Sequence, residues 1–368
     1  MRWKPQHMAI PALVICLYLI TAPLFKNRRP RQIRVMQPMP PAHLKNPSTT
    51  KSCVPQNSVY FLKIPKCAST TSFQIFVAYG VKHGLTFALP RRLIVSPKCL
   101  PPEYHGSPDG RYDMVVSHTL FDKEGVQQVM RDSAKYVATI REPASRFESM
   151  WYYGKNFDKN LSAFAKASQY TTIEKMRLNK LATFFGVKSP SDRVTESEMY
   201  SKAKGLNETF DLVMIAERFD ESLVLLKHLM CWDTQDIVYV KAKIRSASYR
   251  PKSSEAIMDR LRELNRQDVI LYKFFSEVFE EKVKAFGEER MRREVEDLRQ
   301  ANARFLEDCG AELSGSSKTV KTWRVTSNSS ICKMISLSGS NIIKQLIRRQ
   351  KIWVSSHLTY NLSSWTFT

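Results

Sequence analysis

The residues of this chain best suited to chemistry crowd into one short stretch, VYFLKIPKCASTT (residues 59–71), which brings Lys63, Lys66, Ser69, Thr70 and Thr71 together. Val59 to Leu62 has the apolar content of a buried strand, and TSFQIFVAYGVKHG, from Thr71 onward, has the apolar spacing of an amphipathic helix. The lysines therefore fall in a strand-to-helix turn. A helix start offers backbone N–H groups at the positive end of its dipole, and hydroxyls add donors, so this turn suits a bound phosphate or sulfate. A Walker-type loop would carry glycines where this turn has Pro65 and Ala68, which argues against a nucleoside triphosphate. The alternative is a Ser/Thr-rich helix cap flanked by solvated lysines.

A second cluster lies in YVATIREPASRFESMWYY (residues 136–153). A strand delivers Arg141 to a turn, Pro143 suits the first turn of a helix, and Ser149 follows Arg141 by about two helical turns. Arginine with a nearby hydroxyl makes a phosphate clamp. Two separate anion sites match a nucleotide carrying phosphate at both its 3′ and 5′ positions.

The elements that must position these groups read as strands alternating with helices. Apolar runs at 59–62, 112–118, 135–140 and 210–216 are expected strands, and a helix is expected from about Asp220, with Asp220 as its N-cap. That alternation predicts an α/β fold with a central parallel sheet flanked by helices. Each run ends in an ionisable residue: Lys63 and Lys66, His118, Arg141 and Glu217. Ligands of open α/β sheets bind beyond the carboxyl ends of the strands, so these groups are expected near one crevice, with Glu217 read as structural. Trp151, Tyr152, Tyr153 and Phe157 could be core or an acceptor platform, with core preferred. Residues 254–308 are strongly helical and charged, a solvated face with no chemistry attached, and the last 30 or so residues show no clear pattern.

The chain has 368 residues, 43% of them apolar and 11% aromatic, ample for a packed core. With 57 Lys+Arg against 35 Asp+Glu, its net charge of +22 suggests polyanionic ligands or surfaces. No zinc-finger spacing, RNA-binding aromatic signature or long basic helix points to nucleic acid. Residues 8–25, MAIPALVICLYLITAPLF, carry no charge and are expected to be an uncleaved signal-anchor helix after a short cytosolic tail (1–7). A cleavable signal peptide is the competitor, disfavoured by the length of the run and by Pro23 after Thr21-Ala22. Residues 26–57, rich in proline and basic side chains, read as a stem, 58–335 as the main folded domain and 336–368 as a tail. The basic residues after the apolar run oppose a lumenal domain by the positive-inside rule. Sequons at Asn160, Asn207, Asn328 and Asn361 favour it, as does an even count of cysteines after residue 25: Cys53, Cys67, Cys99, Cys231, Cys309 and Cys332. Their pairing stays open.

Over residues 58–310 the chain resembles the Golgi sulfotransferases, and more closely the galactose 3-O-sulfotransferases. The resemblance is carried by KIPKCASTT, HGLTFALP (83–90), SHTLF (117–121), TIREPASRFESMWYY (139–153), ERFDESLVLLKHLMCW (217–232), DIVYVKAKIRS (236–246) and KAFGEERMRREVEDLRQANARF (284–305). It implies a P-loop-like sulfotransferase fold, 3′-phosphoadenosine 5′-phosphosulfate as sulfate donor, no metal, and a galactose 3-hydroxyl on a glycolipid or glycoprotein glycan as acceptor. It also implies a single-pass type II Golgi membrane protein with a lumenal catalytic domain. By position, Lys66 is expected to contact the phosphosulfate and stabilise the leaving oxygen. Lys63, Cys67, Ala68, Ser69, Thr70 and Thr71 are expected around the 5′-phosphate, Arg141 and Ser149 on the 3′-phosphate, and His118 as the catalytic base. The chain departs from the family pattern at Pro65 and Cys67, where His and Thr are common, and at Glu142, where Asn or Asp is common. Sulfation of another sugar hydroxyl and non-catalytic glycan binding are the competing readings.

Overall fold

Four consecutive apolar residues, Val59–Leu62, form strand β1, and all four are fully buried. Helix α1 (Ser69–Lys82) follows, then β2 (Met114–Val115), α2 (Lys123–Val129), β3 (Lys135–Ile140) and α3 (Pro143–Trp151). The computed structural model describes residues 53–89, 107, 109–153, 160–187, 194–241, 244–245, 253–314 and 320–355. The expected anchor at 8–25 and nearly all of the expected stem lie outside these residues. Among the described residues no helix is long and apolar enough to cross a membrane.

The middle of the chain adds α4 (Leu161–Lys166), α5 (Thr172–Lys175), α6 (Lys180–Phe184), α7 (Glu196–Thr209), β4 (Leu212–Ile215) and α8 (Phe219–Met230). After β5 (Ile244–Arg245) come α9 (Glu255–Leu264), α10 (Arg266–Phe286), α11 (Glu288–Asp308), β6 (Glu312–Ser314), β7 (Val320–Arg324), α12 (Ser330–Ser336) and α13 (Gly339–Ser355). Strands β5, β7 and β6 form a small antiparallel sheet.

The central sheet runs β2-β1-β3-β4 and every pairing in it is parallel. Parallel strands must be covered on both faces, and the alternation of side chains along β1 shows how. Tyr60 and Leu62 join one apolar core with Phe274, Phe275 and Phe279 of α10. Val59 and Phe61 join the other with Phe73 and Phe76 of α1, Leu223 and Leu226 of α8, and Ile342 and Leu346 of α13. Gly80 of α1 lets the helix approach the sheet, because a Cβ there would collide with the Phe87 ring. The fold is α/β, with helices on both faces.

Two expected strands are shorter than their apolar runs. Strand β2 pairs with β1 only through Val59↔Met114 and Tyr60↔Val115, while Tyr112 bridges Met130 instead. Residues past Val115 leave the sheet and carry His118 toward the end of β1. Around β4, Phe210 is the C-cap of α7 and Ala216 begins a 3₁₀ turn. Asp220 is not the N-cap of α8, which starts at Phe219. Its carboxylate instead accepts from Tyr239 Oη (2.6 Å) and Arg299 Nε (3.0 Å).

The C-terminal stretch, which showed no sequence pattern, carries α13. Its Gln350 is fully buried, accepting at Oε1 from Phe87 N (2.9 Å) and donating through Nε2 to Phe87 O (2.8 Å). Two disulfides tie distant segments, Cys53–Cys231 and Cys309–Cys332. Cys99 lies outside the described residues.

Candidate active site

The strand order β2-β1-β3-β4 reverses direction between β1 and β3: the chain steps from β1 to one side, then returns to the other. At such a switch point the connections after the two central strands part and leave a crevice beyond their carboxyl ends. The connection after β1 is the Lys66 turn, and the connection after β3 begins with Arg141. Topology alone therefore brings the two anion motifs face to face. Lys66, Ala68, Ser69, Thr70, Thr71, His118, Arg141 and Ser149 all line one crevice of ≈ 290 Å³, together with Pro65, Met150 and Tyr153.

The turn reaches its shape without glycine. Lys66 (φ 70°) and Ala68 (φ 53°) both take the left-handed conformation, which costs a non-glycine residue about 1–2 kcal/mol. Strain of this size persists where surrounding structure enforces it, and it is frequent at functional sites. Ala68 is also the N-cap of α1, and no side chain caps that helix start. Thr71 N bonds to Ala68 O (2.9 Å), so the helix start offers its first amides, at Ser69 and Thr70, beside the hydroxyls of Ser69, Thr70 and Thr71, an arrangement that favours an anion.

Two expected residues are directed elsewhere. The Lys63 side chain is buried, with Nζ 4.1 Å from the centroid of the Phe73 ring, so its ammonium does not line the crevice. Its contribution is the backbone carbonyl, which accepts a 2.6 Å hydrogen bond from His118 Nδ1. Cys67 is fully buried in the apolar core. Burial pushes its thiol up to about 12, outweighing the nearby Arg146 and Arg141, so the thiol is inert and does not line the crevice.

The Lys63 carbonyl can only accept, so Nδ1 of His118 carries a proton, and in the neutral form of the ring the lone pair lies on Nε2. The Phe184 ring lies edge-on to the imidazole at 6.4 Å between centroids. His118 is therefore oriented by one strand end and walled by α6.

Arg141 knits the two motifs together. Its Nη1 donates to the Lys66 carbonyl (3.3 Å), and its Nε lies 3.8 Å from Glu217 Oε1 at the end of β4. Glu217 also accepts from Glu142 N (3.1 Å) and Tyr272 Oη (3.2 Å), which gives it the structural role read from the sequence. Glu142 caps α3, accepting from Ala144 N (3.1 Å) and Ser145 N (2.7 Å), while Arg262 Nε donates to it (3.1 Å). A longer acid thus performs the capping that Asn or Asp would perform. Burial pushes the Glu142 carboxyl up, but the Ser145 and Ala144 amides and Arg262 outweigh it and hold the group below its ordinary value.

Sequence reasoning missed Tyr153. In the Trp-Tyr-Tyr run at the end of α3, Trp151 is buried with Phe147 and Phe164, whereas Tyr153 is 52% exposed. Lys66 Nζ lies over the Tyr153 ring, 3.8 Å from its centroid. The hint in the sequence was proximity: Tyr153 follows Ser149 by four residues, in the turn just past the end of α3 at Trp151.

Comparison with known proteins adds the family to this picture. The family model described as galactose-3-O-sulfotransferase matches residues 5–325. A galactosylceramide sulfotransferase of Bos taurus is 33% identical over 276 residues, 70% of this chain and 65% of the relative. Galactose-3-O-sulfotransferase 3 of Homo sapiens is 34% identical over 273 residues, 68% and 63% respectively. Galactose-3-O-sulfotransferase 2 of Sus scrofa is 27% identical over 314 residues, 80% and 77%. The alignment thus spans slightly less than two thirds of the length of the first of these relatives. By family match and by identity, this chain belongs to the galactose-3-O-sulfotransferase family.

Proposed function

We propose that this protein transfers a sulfuryl group from 3′-phosphoadenosine 5′-phosphosulfate to the 3-hydroxyl of a galactose on a glycolipid or a glycoprotein glycan. The observation that carries the reading is the convergence of the Lys66 turn, the Arg141–Ser149 pair and His118 on one crevice at the β1/β3 switch point. The donor set fits the donor nucleotide. An uncapped helix start with three hydroxyls and a lysine suits the 5′ end, and an arginine with a serine suits the 3′-phosphate. The same set of donors supports the P-loop-like sulfotransferase reading.

When bound, the nucleotide supplies an electrophilic sulfur and a phosphate as leaving group. His118 takes the proton of the attacking sugar hydroxyl at Nε2 as that oxygen forms its bond to sulfur, and the Lys63 carbonyl steadies the imidazolium through Nδ1–H. Lys66 and the first amides of α1 stabilise the electron pair left on the 5′-phosphate oxygen as the bond from sulfur breaks. Arg141 and Ser149 hold the 3′-phosphate, fixing the reacting end relative to His118.

We infer further that residues 8–25 anchor the chain in the Golgi membrane with the catalytic domain in the lumen. Two disulfides support an oxidising compartment, and Asn160, Asn207 and Asn328 of the sequons are exposed.

The test is transfer of labelled sulfate by the purified full-length chain to β-galactosides, glucuronides and N-acetylhexosaminides, beside His118→Ala and Lys66→Ala. Label on the galactose 3-hydroxyl, with kcat reduced about 10²–10⁴-fold in His118→Ala, is expected. Label only on another sugar would replace galactose as acceptor. Nucleotide binding with no transfer to any sugar would favour a glycan-binding protein.

A further inference from the structure

Lys66 is held at both ends. Its carbonyl accepts from Arg141 Nη1 (3.3 Å), and its ammonium lies over Tyr153, 3.8 Å from the ring centroid. A lysine stem has four rotatable carbons and a compact charge, so each contact made by the ammonium narrows the positions it samples. The left-handed backbone at Lys66 sets the direction in which that stem leaves the turn. Across the crevice, Tyr153 is fixed by its own amide, which donates to Met150 O (3.2 Å) in the last turn of α3. The carboxyl end of that helix also attracts a cation.

We propose that Tyr153 is a positioning residue for Lys66, holding the ammonium at the mouth of the crevice in the orientation from which it meets the leaving oxygen. The inference rests on the reading that Lys66 faces the sulfate donor. It adds a coupling within the site: α3 carries Ser149 for the 3′-phosphate, and the turn just past its end carries the ring that holds the lysine for the 5′ end. Arg141 completes the circuit by bonding the carbonyl of that lysine. A nucleotide that engages Arg141 and Ser149 thus bears on both supports of Lys66.

The test compares Tyr153→Leu, which removes the π face, with Tyr153→Phe, which keeps it. Tyr153 is half exposed, so both variants are expected to fold. In Tyr153→Leu, kcat for sulfate transfer should fall about 2- to 30-fold, the range for a cation–π contact between exposed and desolvated limits. Binding of adenosine 3′,5′-bisphosphate, measured by calorimetry, should change less than kcat does. Tyr153→Phe should restore the rate, and Tyr153→Leu should add no further loss in a Lys66→Ala background. A second measurement is independent of catalysis: acetylation of Lys66 by a succinimidyl ester, followed by peptide mass spectrometry. The reaction should be several-fold faster in Tyr153→Leu and unchanged in Tyr153→Phe. Unchanged kcat and acetylation in Tyr153→Leu, or equal loss in Tyr153→Phe, would overturn the proposal. A wild-type chain that shows the Lys66 protection but transfers no sulfate would instead overturn the functional reading and leave the contact standing.

Discussion

Removing the two disulfides one at a time should expose an inequality fixed by chain topology. Cys53–Cys231 closes a loop of 178 residues, and Cys309–Cys332 one of 23. If each acts by restricting the unfolded chain, loop-closure entropy assigns about 5 kcal/mol to the first and about 3.4 kcal/mol to the second. Their difference, about 1.8 kcal/mol, depends only on the ratio of the loop lengths, so it is steadier than either value. The assay is equilibrium urea unfolding of Cys53→Ala/Cys231→Ala and Cys309→Ala/Cys332→Ala, followed by tryptophan fluorescence. Trp232 reports on the first bond directly, being buried beside Cys231 and stacked on Tyr79 at 3.8 Å. The loops do not overlap in the sequence, so the losses should add in the quadruple variant. An equal loss from both pairs, or a larger one from Cys309–Cys332, would refute loop entropy as the source of the stabilisation and shift the weight to native contacts.

Gln350→Leu should destabilise the fold by about 2–5 kcal/mol, measured by the same unfolding assay, because it strands both backbone polar groups of buried Phe87. Cys67, with its thiol pushed up to about 12 by burial, should resist alkylation in the native protein at pH 8 and react once urea is added, as read by mass spectrometry of its peptide. Rapid native labelling would contradict its placement in the core. Glu142 is held below its ordinary value of 4.5, so the charged cap stabilises the fold above that pH, and the contribution is lost as pH falls through the lower folded value. Glu142→Gln should therefore be less stable than wild type by about 0.5–2 kcal/mol near pH 7, with the gap shrinking only below 4.5.

The parts of the fold that were legible from the sequence were those decided locally. Val59–Leu62 and Lys135–Ile140 form strands with the expected bounds because both are the central strands of the sheet, flanked by a strand on either side. The strand around Met114 was overread, since an apolar run cannot reveal that only two residues find partners on β1. Asp220 has the composition of a cap, but Tyr239 and Arg299, both distant in sequence, claim its carboxylate. At the site, residue type identified the crevice cluster, and long-range packing decided the exceptions. Lys63 turns to Phe73, Cys67 turns into the core, and Tyr153 turns out to Lys66. Helix α13 was readable but missed: its buried positions Ile342, Ile343 and Leu346 have the spacing of an amphipathic helix, with Lys344 and Gln345 between them. The cysteine pairing depends on tertiary structure and was never readable from spacing.

Beyond β2, the outermost strand in the order of the central sheet, the chain makes one more parallel bridge, Phe87↔Met114. Thr86 O and Ala88 N bond to Met114, so Phe87 presents its own N–H and C=O away from the sheet. An exposed pair of this kind is a template on which the strand of another molecule can add, and repeated addition leads to aggregation. The Gln350 amide, with one donor and one acceptor, stands in for the peptide unit of an absent neighbouring strand and ends the pairing there. A single side chain from the last helix thus closes this open edge, and a chain synthesised without that helix would be expected to associate with copies of itself.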